Sequence, residues 1–177
     1  REASLYGMPS ISASLATYAH EDYEDSVRAT LELLDRISTV ITKPPRNLLR
    51  LDGSRSKLPG GTNPESIRSW LIDGNMFLNL NTPEKWNGSF QTVSLGARWY
   101  HNATDMLDNK ESGVAFEVGA ARIVDEDIPM TDCHAIKSGY SSITPLASWP
   151  RNHPLGMPDS VLQASMEFDA VGFPSWL

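Results

Sequence analysis

Residues 43–57 concentrate basic side chains in a chain whose formal net charge is -7. The cations of this basic segment are Lys43, Arg46, Arg50, Arg55 and Lys57. Arginine makes bidentate contacts with phosphate, so the basic segment predicts a contact with nucleic acid or another polyanion. The alternative is a solvated connector whose cations pair with the acidic clusters at 21–25 or 125–127. No aromatic residue interleaves with these cations, which disfavours binding of single strands by base stacking.

The histidines and the single cysteine offer a second kind of chemistry. Asp132, Cys133 and His134 form the densest group of potential ligands, but neighbours in a strand point to opposite faces and do not converge. The sequence contains no His-x-x-x-His or Cys-x-x-Cys spacing, so we expect no metal site and assign this group to packing. A hydrolytic site assembled only by the fold remains an alternative, with His101, His134, Asp105 and Asp132 as its first suspects.

Motifs that would identify the common enzyme classes are missing from the sequence. It has neither the Gly-x-x-x-x-Gly-Lys-Ser/Thr phosphate loop nor the Gly-x-Gly-x-x-Gly dinucleotide pattern. It also has no Gly-x-Ser-x-Gly nucleophile elbow. We therefore expect no cofactor and no enzyme of these classes.

Two helices are predicted in the first half of the chain. Over residues 25–42, apolar residues recur every three or four positions and define one helical face, namely Val27, Leu31, Leu34, Ile37 and Ile41. Pro44 and Pro45 end this helix, and residues 43–61 follow as a basic connector. A second, short helix is predicted over residues 62–73, with Asn63 as its cap and Pro64 at its first position.

From Met76 the apolar residues alternate, which predicts a β-rich core over residues 76–124. Residues 125–177 contain six prolines and are expected to form short strands and a wrapping tail. The predicted fold is therefore α+β or mainly β, with an antiparallel sheet in a sandwich or jelly-roll arrangement. We expect residues 1–177 to form a single domain.

Composition narrows the setting of the protein. The apolar runs are much shorter than the roughly 20 residues that a membrane-spanning helix needs, so no membrane contact is expected. One cysteine excludes an internal disulfide. The first residue is Arg1 rather than methionine, from which we expect a processed product or one part of a longer polypeptide.

These features together predict a non-enzymatic structural or assembly subunit, such as a viral coat or capsid-like protein. The basic segment would face nucleic acid, and the protein would form a homo-oligomer or join other subunits. Trp149, Trp176 and Leu177 are the predicted interface residues, because tryptophan is favoured at desolvated contacts. The alternatives are the hydrolase with a fold-assembled His/Asp site and a monomeric β module that binds a glycan or peptide.

Overall fold

The computed structural model describes residues 1–17, 22–41, 58–102, 104–109, 113–118 and 122–177, and only the backbone of 105–109 and 113–118. The helices in this part of the chain are α1 (Glu2–Leu5), α2 (Glu24–Val40), α3 (Pro64–Ile72), α4 (Asp132–Lys137) and α5 (Asp159–Ser165). The strands begin with β1 (Ile11–Leu15), β2 (Met76–Thr82), β3 (Phe90–Thr92) and β4 (Arg98–His101). They continue with β5 (Thr104–Asn109), β6 (Gly113–Val118), β7 (Arg122–Asp125) and β8 (Ser141–Ala147).

The main sheet has the strand order β1-β2-β8-β3. The outer pairs, β1 with β2 and β3 with β8, are parallel, while the central pair of β2 and β8 is antiparallel. Two separate antiparallel ribbons, β4 with β7 and β5 with β6, lie between β3 and α4 in the chain. The protein thus has an α/β fold with a mixed, mainly parallel sheet, and the prediction of an antiparallel sandwich or jelly roll was wrong.

That error has a physical reason. Alternation of apolar residues shows that a strand is half-buried, but it does not show the direction of its neighbour. The run from Phe90 to Tyr100 reads as one strand in the sequence. In the structure it is divided between β3 of the main sheet and β4 of a ribbon.

The core lies between the main sheet and helices α2, α3 and α5. Its fully enclosed side chains include Leu33 of α2, Trp70 of α3 and Leu78 and Leu80 of β2. The Asn63 side chain caps α3 by accepting a hydrogen bond from the Ser66 amide at 2.9 Å, as its position before Pro64 predicts.

The helix α2 spans nearly the predicted residues but buries a different face. Its buried residues are Ser26, Ala29 and Leu33, whereas Val27 and Leu31 of the predicted inward face are exposed. The small side chains of Ser26 and Ala29 allow α2 to pack closely against the sheet. The spacing of apolar residues does not reveal this, because it gives small side chains little weight.

Candidate functional site

A polar cleft of about 210 Å³ opens at the carboxyl ends of the parallel strands β1 and β2. Ligands of open α/β sheets commonly bind at such an edge, because loops diverge there and leave room between them. Residues from β1, β2, the segment around β4 and the start of α4 line the cleft. They are Ser14, Leu15, Ala16, Thr17, Asn81, Gly96, Arg98, Asp132, Cys133 and Ile136.

The register of the sheet brings two polar side chains together at this edge. Ser14 of β1 and Asn81 of β2 are direct partners in the parallel pair. The Ser14 hydroxyl donates a hydrogen bond to Asn81 Oδ1 at 2.6 Å. That bond uses the amide acceptor and so fixes the orientation of the Asn81 NH2 group, which is a donor suited to an anion.

Asp132 joins the start of α4 to the segment that precedes β4. Its Oδ1 accepts hydrogen bonds from the amides of Gly96 at 2.6 Å and Cys133 at 2.9 Å. A Cβ on Gly96 would lie 3.0 Å from both Asp132 Oδ1 and Cys133 Sγ, which is closer than ordinary contact. The absence of a side chain at Gly96 therefore lets this wall of the cleft close onto α4.

Arg98 supplies a cation to the cleft and is held by Asp125. Its Nε and Nη2 donate to the two carboxylate oxygens of Asp125 at 2.6 and 2.9 Å, across the pair of β4 and β7. This bidentate pairing raises the pKa of Arg98 and lowers the pKa of Asp125, chiefly through the hydrogen bonds. Arg98 is thereby fixed in direction while its guanidinium carries further N–H donors.

Cys133 is a neutral thiol in this setting. Burial raises its pKa to about 11, with further contributions from the negative charges of Asp132 and Asp125. A thiolate is the nucleophilic form of cysteine, and a raised pKa removes it at neutral pH. Cys133 lines the cleft wall, and its raised pKa disfavours a role as a nucleophile.

We expect Cys133 to react slowly with iodoacetamide. At pH 8 the rate should be roughly tenfold to a hundredfold below that of an unperturbed thiol, and it should keep rising toward pH 11 because the thiolate forms only there. Mass spectrometry of the alkylated chain measures the rate. Since the chain has one cysteine, the same protein in denaturant is the matched control. Equal rates in the folded and denatured protein would contradict the raised pKa.

The structure places two of the residues suspected of hydrolytic chemistry in different cavities. Asp132 lines the cleft, but His134 pairs through Nδ1 with Asp127 Oδ1 at 2.8 Å and lines a different cavity. That hydrogen bond, assisted by Lys137, lowers the pKa of Asp127. His101 is exposed at the end of β4, and the Asp105 side chain lies outside the described part of the structure.

Asp132, Cys133 and His134 lie on the helix α4, so the prediction that placed them in a strand was wrong. Asp132 and Cys133 both line the cleft, whereas His134 points away from it to Asp127 and lines a different cavity. Within the described ranges, no group of three or more His, Cys, Asp or Glu side chains is placed to hold a metal ion.

The predicted contact residues for nucleic acid all lie outside the described residues. Lys43, Arg46, Arg50, Arg55 and Lys57 therefore remain a prediction. In the described part of the chain, no helix combines the length and apolar character required to cross a bilayer.

The C-terminal tail is docked in the core of its own chain. Trp176 is 0% exposed, and its Nε1 donates to the carbonyl of Ser165 at 2.9 Å. Leu177 packs against the same core, while Trp149 stacks on the ring of His153 with centroids 4.4 Å apart. The interface role of Trp149, Trp176 and Leu177 stays a prediction that one chain does not test.

The sequence reading missed Ser14, Asn81 and Arg98. One signal was present, because Asn81 lies one residue before the end of the largely apolar strand β2, and polar residues near strand ends often line ligand sites. Ser14 lies 67 residues away from Asn81 in the chain, and only the strand pairing brings the two together.

The chain is similar in sequence to curated 5'-nucleotidases. No family model matches the sequence. The chain is 26% identical over 148 residues to the 5'-nucleotidase SurE of Synechococcus sp. strain JA-3-3Ab, a match that covers 82% of the chain and 46% of the relative. It is 28% identical over 146 residues to the 5'-nucleotidase SurE of Pelotomaculum thermopropionicum, covering 82% of the chain and 44% of the relative. The chain thus spans about half the length of these curated relatives.

A solved structure, the SurE protein from Aquifex aeolicus, matches with a TM-score of 0.48 and 17% identity over 84% of this chain and 49% of that one. The similarity to curated nucleotidases contradicts the prediction of a non-enzymatic coat or capsid-like subunit. It favours the alternative of a hydrolase, although Asp132 and His134, two of the four suspected residues, line different cavities.

Proposed function

We propose that this chain forms part of a phosphohydrolase that acts on nucleoside 5'-monophosphates. The observation that carries the proposal is the match of 148 residues, 82% of the chain, to a curated 5'-nucleotidase. The match to a second such relative has the same extent, 82% of the chain.

The polar cleft is the part of the chain that we assign to the substrate phosphate. Its position at the ends of β1 and β2 suits a small anionic group, since strand ends leave room and loop amides point outward. Arg98 brings positive charge to this cleft in a chain of net charge -7. Asn81 and Ser14 add neutral hydrogen-bonding groups whose orientation is already set.

In this proposal Arg98 binds the phosphate and Asp125 orients the guanidinium. Asn81 donates to a phosphate oxygen, and Asp132 holds the Gly96 segment so that the cleft keeps its shape. Orientation before binding reduces the entropy lost when the substrate is held. The nucleoside would extend from the cleft toward solvent.

We expect Arg98→Met to weaken the binding of adenosine 5'-monophosphate about tenfold to a hundredfold, since a hydrogen bond to a charged group contributes roughly 1.5–3 kcal/mol. Isothermal titration calorimetry measures the affinity, and release of inorganic phosphate, assayed with Mg²⁺ and with EDTA, measures turnover. Arg151→Met is the matched control, because Arg151 also pairs with an aspartate, Asp159, but lies outside the cleft.

The control variant should bind the nucleotide as the unmodified chain does. A chain that neither binds a nucleoside monophosphate nor releases phosphate from one would contradict the proposal. Equal weakening by both variants would show that Arg98 acts only through overall charge.

A further inference from the structure

The most periodic apolar face of the sequence is exposed in the structure. Val27, Leu31 and Leu34 of α2 are 54%, 59% and 45% exposed. They follow one another at spacings of four and three residues and so form a continuous stripe along the helix. A stripe of this kind is the usual mark of a buried helix face, and no described residue buries it.

The strand next to this helix is also open on one side. β1 is an edge strand, bonded to β2 and to no other described strand. Its central residues Ser12, Ala13 and Ser14 are exposed. An open edge presents a row of backbone N–H and C=O groups that can pair with another strand.

A groove of about 350 Å³ joins the open edge to the exposed stripe. It is lined mainly by apolar residues of β1 and the segment before it, of α2 and of the neighbouring α3, namely Pro9, Ile11, Ala13, Leu34, Ile37 and Leu71. The two open surfaces are therefore continuous. A strand laid along β1, with a helix against α2, would cover both at once.

We propose that β1 and this face of α2 bind a strand-and-helix segment of polypeptide, which corresponds to the part of the relatives that this chain does not match. The curated relatives are long enough to contain such a segment, since the match covers only 46% and 44% of their lengths. The added strand pairs with β1 and continues the sheet, and its helix packs on Val27, Leu31 and Leu34. The assignment is independent of the proposed activity.

The relatives' length favours this occupant over a second copy of the chain. A strand that continues the sheet comes with a connecting helix in α/β folds, and on the face of the sheet where α2 lies that helix would meet the exposed stripe. One segment then satisfies both the backbone groups of β1 and the apolar stripe.

The test is coexpression of the tagged chain with the portion of the Synechococcus relative that lies outside the match. We expect the two polypeptides to copurify in equal amounts. Hydrogen exchange of the β1 amides that face the open edge should slow at least tenfold in the complex, because those groups gain partners. Leu31→Glu should reduce the recovered partner about tenfold or more, since burial of a leucine contributes roughly 1.5–3 kcal/mol.

Leu95→Glu is the matched control, because Leu95 is likewise exposed, at 54%, but lies on another surface. It should leave copurification unchanged. Failure to copurify with the corresponding portions of both the Synechococcus and Pelotomaculum relatives would overturn the proposal. So would a homodimer of the chain that Leu31→Glu converts to monomer, or loss of folding in the isolated Leu31→Glu chain, which would mean that its own residues cover the face.

Discussion

Gly172→Ala is expected to lower the free energy of unfolding by about 4 kcal/mol or more, at the top of the range for single substitutions. Gly172 has φ +89°, and a Cβ there would lie 1.9 Å from the carbonyl oxygen of Phe90. That oxygen belongs to the backbone of β3 and cannot turn aside. The C-terminal segment would have to leave β3, which breaks the 2.9 Å hydrogen bond from Thr92 Oγ1 to the Gly172 carbonyl.

The expected loss of stability is large because the contact between Gly172 and β3 positions several neighbouring residues. Phe173, next to Gly172, packs on Phe90 with ring centroids 4.3 Å apart. Asp169 fixes the same turn by accepting the amides of Val171 and Phe173 at 3.0 and 3.1 Å. Displacement of the turn therefore exposes Phe173 and strains the course of the tail toward Trp176.

Gly88→Ala is the control that isolates backbone strain. Gly88 has nearly the same conformation, with φ +83°, but its added Cβ would meet nothing within 4 Å. The cost of placing alanine in that conformation is about 1–2 kcal/mol. Urea unfolding of both variants measures the two losses. Equal losses would contradict the argument from the Phe90 contact.

The position of α2 could be read from the sequence, but its buried face could not. The spacing of Val27, Leu31 and Leu34 located the helix, and Pro44 limited its end. The same residues misled the assignment of the core, since the main sheet packs on Ala29 and Leu33 instead. If the exposed stripe binds a further segment, the apolar spacing of α2 reflects a contact with that segment and not a contact within the described residues.

The central strand β8 could not be located from the sequence because its residues are not typical of a core strand. It contains Pro145 and the fully buried polar residues Ser141, Ser142 and Thr144, which predict a loop more than a core strand. Pro145 is tolerated because β3 pairs with β8 only over Ser141–Ile143, so no hydrogen bond of that ladder is lost. Residues 125–177 were predicted to contain short strands, but β8 was not located among them, and the mixed direction of the sheet depends on its antiparallel pairing with β2.

The cleft could not be predicted for a related reason. Ser14 and Asn81 meet through the parallel pairing of β1 and β2, and Gly96 meets Asp132 through a contact between segments 36 residues apart. Local patterns carry no information about such contacts. Adjacency in the sequence therefore identified Asp132 as a candidate but not the residues that surround it in space.

Trp176→Ala is expected to lower the free energy of unfolding by about 3–5 kcal/mol, as for other large core side chains cut to alanine. Trp176 is 0% exposed and packs in the same core cluster as Trp70 and Val161. Its removal leaves a cavity among residues that α3, α5 and the sheet hold in place. It also leaves the carbonyl of Ser165 without the indole donor.

Trp99→Ala is the matched control for this change. Trp99 also donates from Nε1, to Glu126 Oε1 at 3.0 Å, but it is 53% exposed. Its loss should cost less than about 1 kcal/mol, because little apolar surface returns to water. Urea unfolding gives both values, and light scattering gives the oligomeric state. The core role of Trp176 requires that Trp176→Ala destabilise the monomer itself. A loss below 1 kcal/mol in the free energy of unfolding, together with dissociation of an oligomer, would instead support the interface role predicted from the sequence.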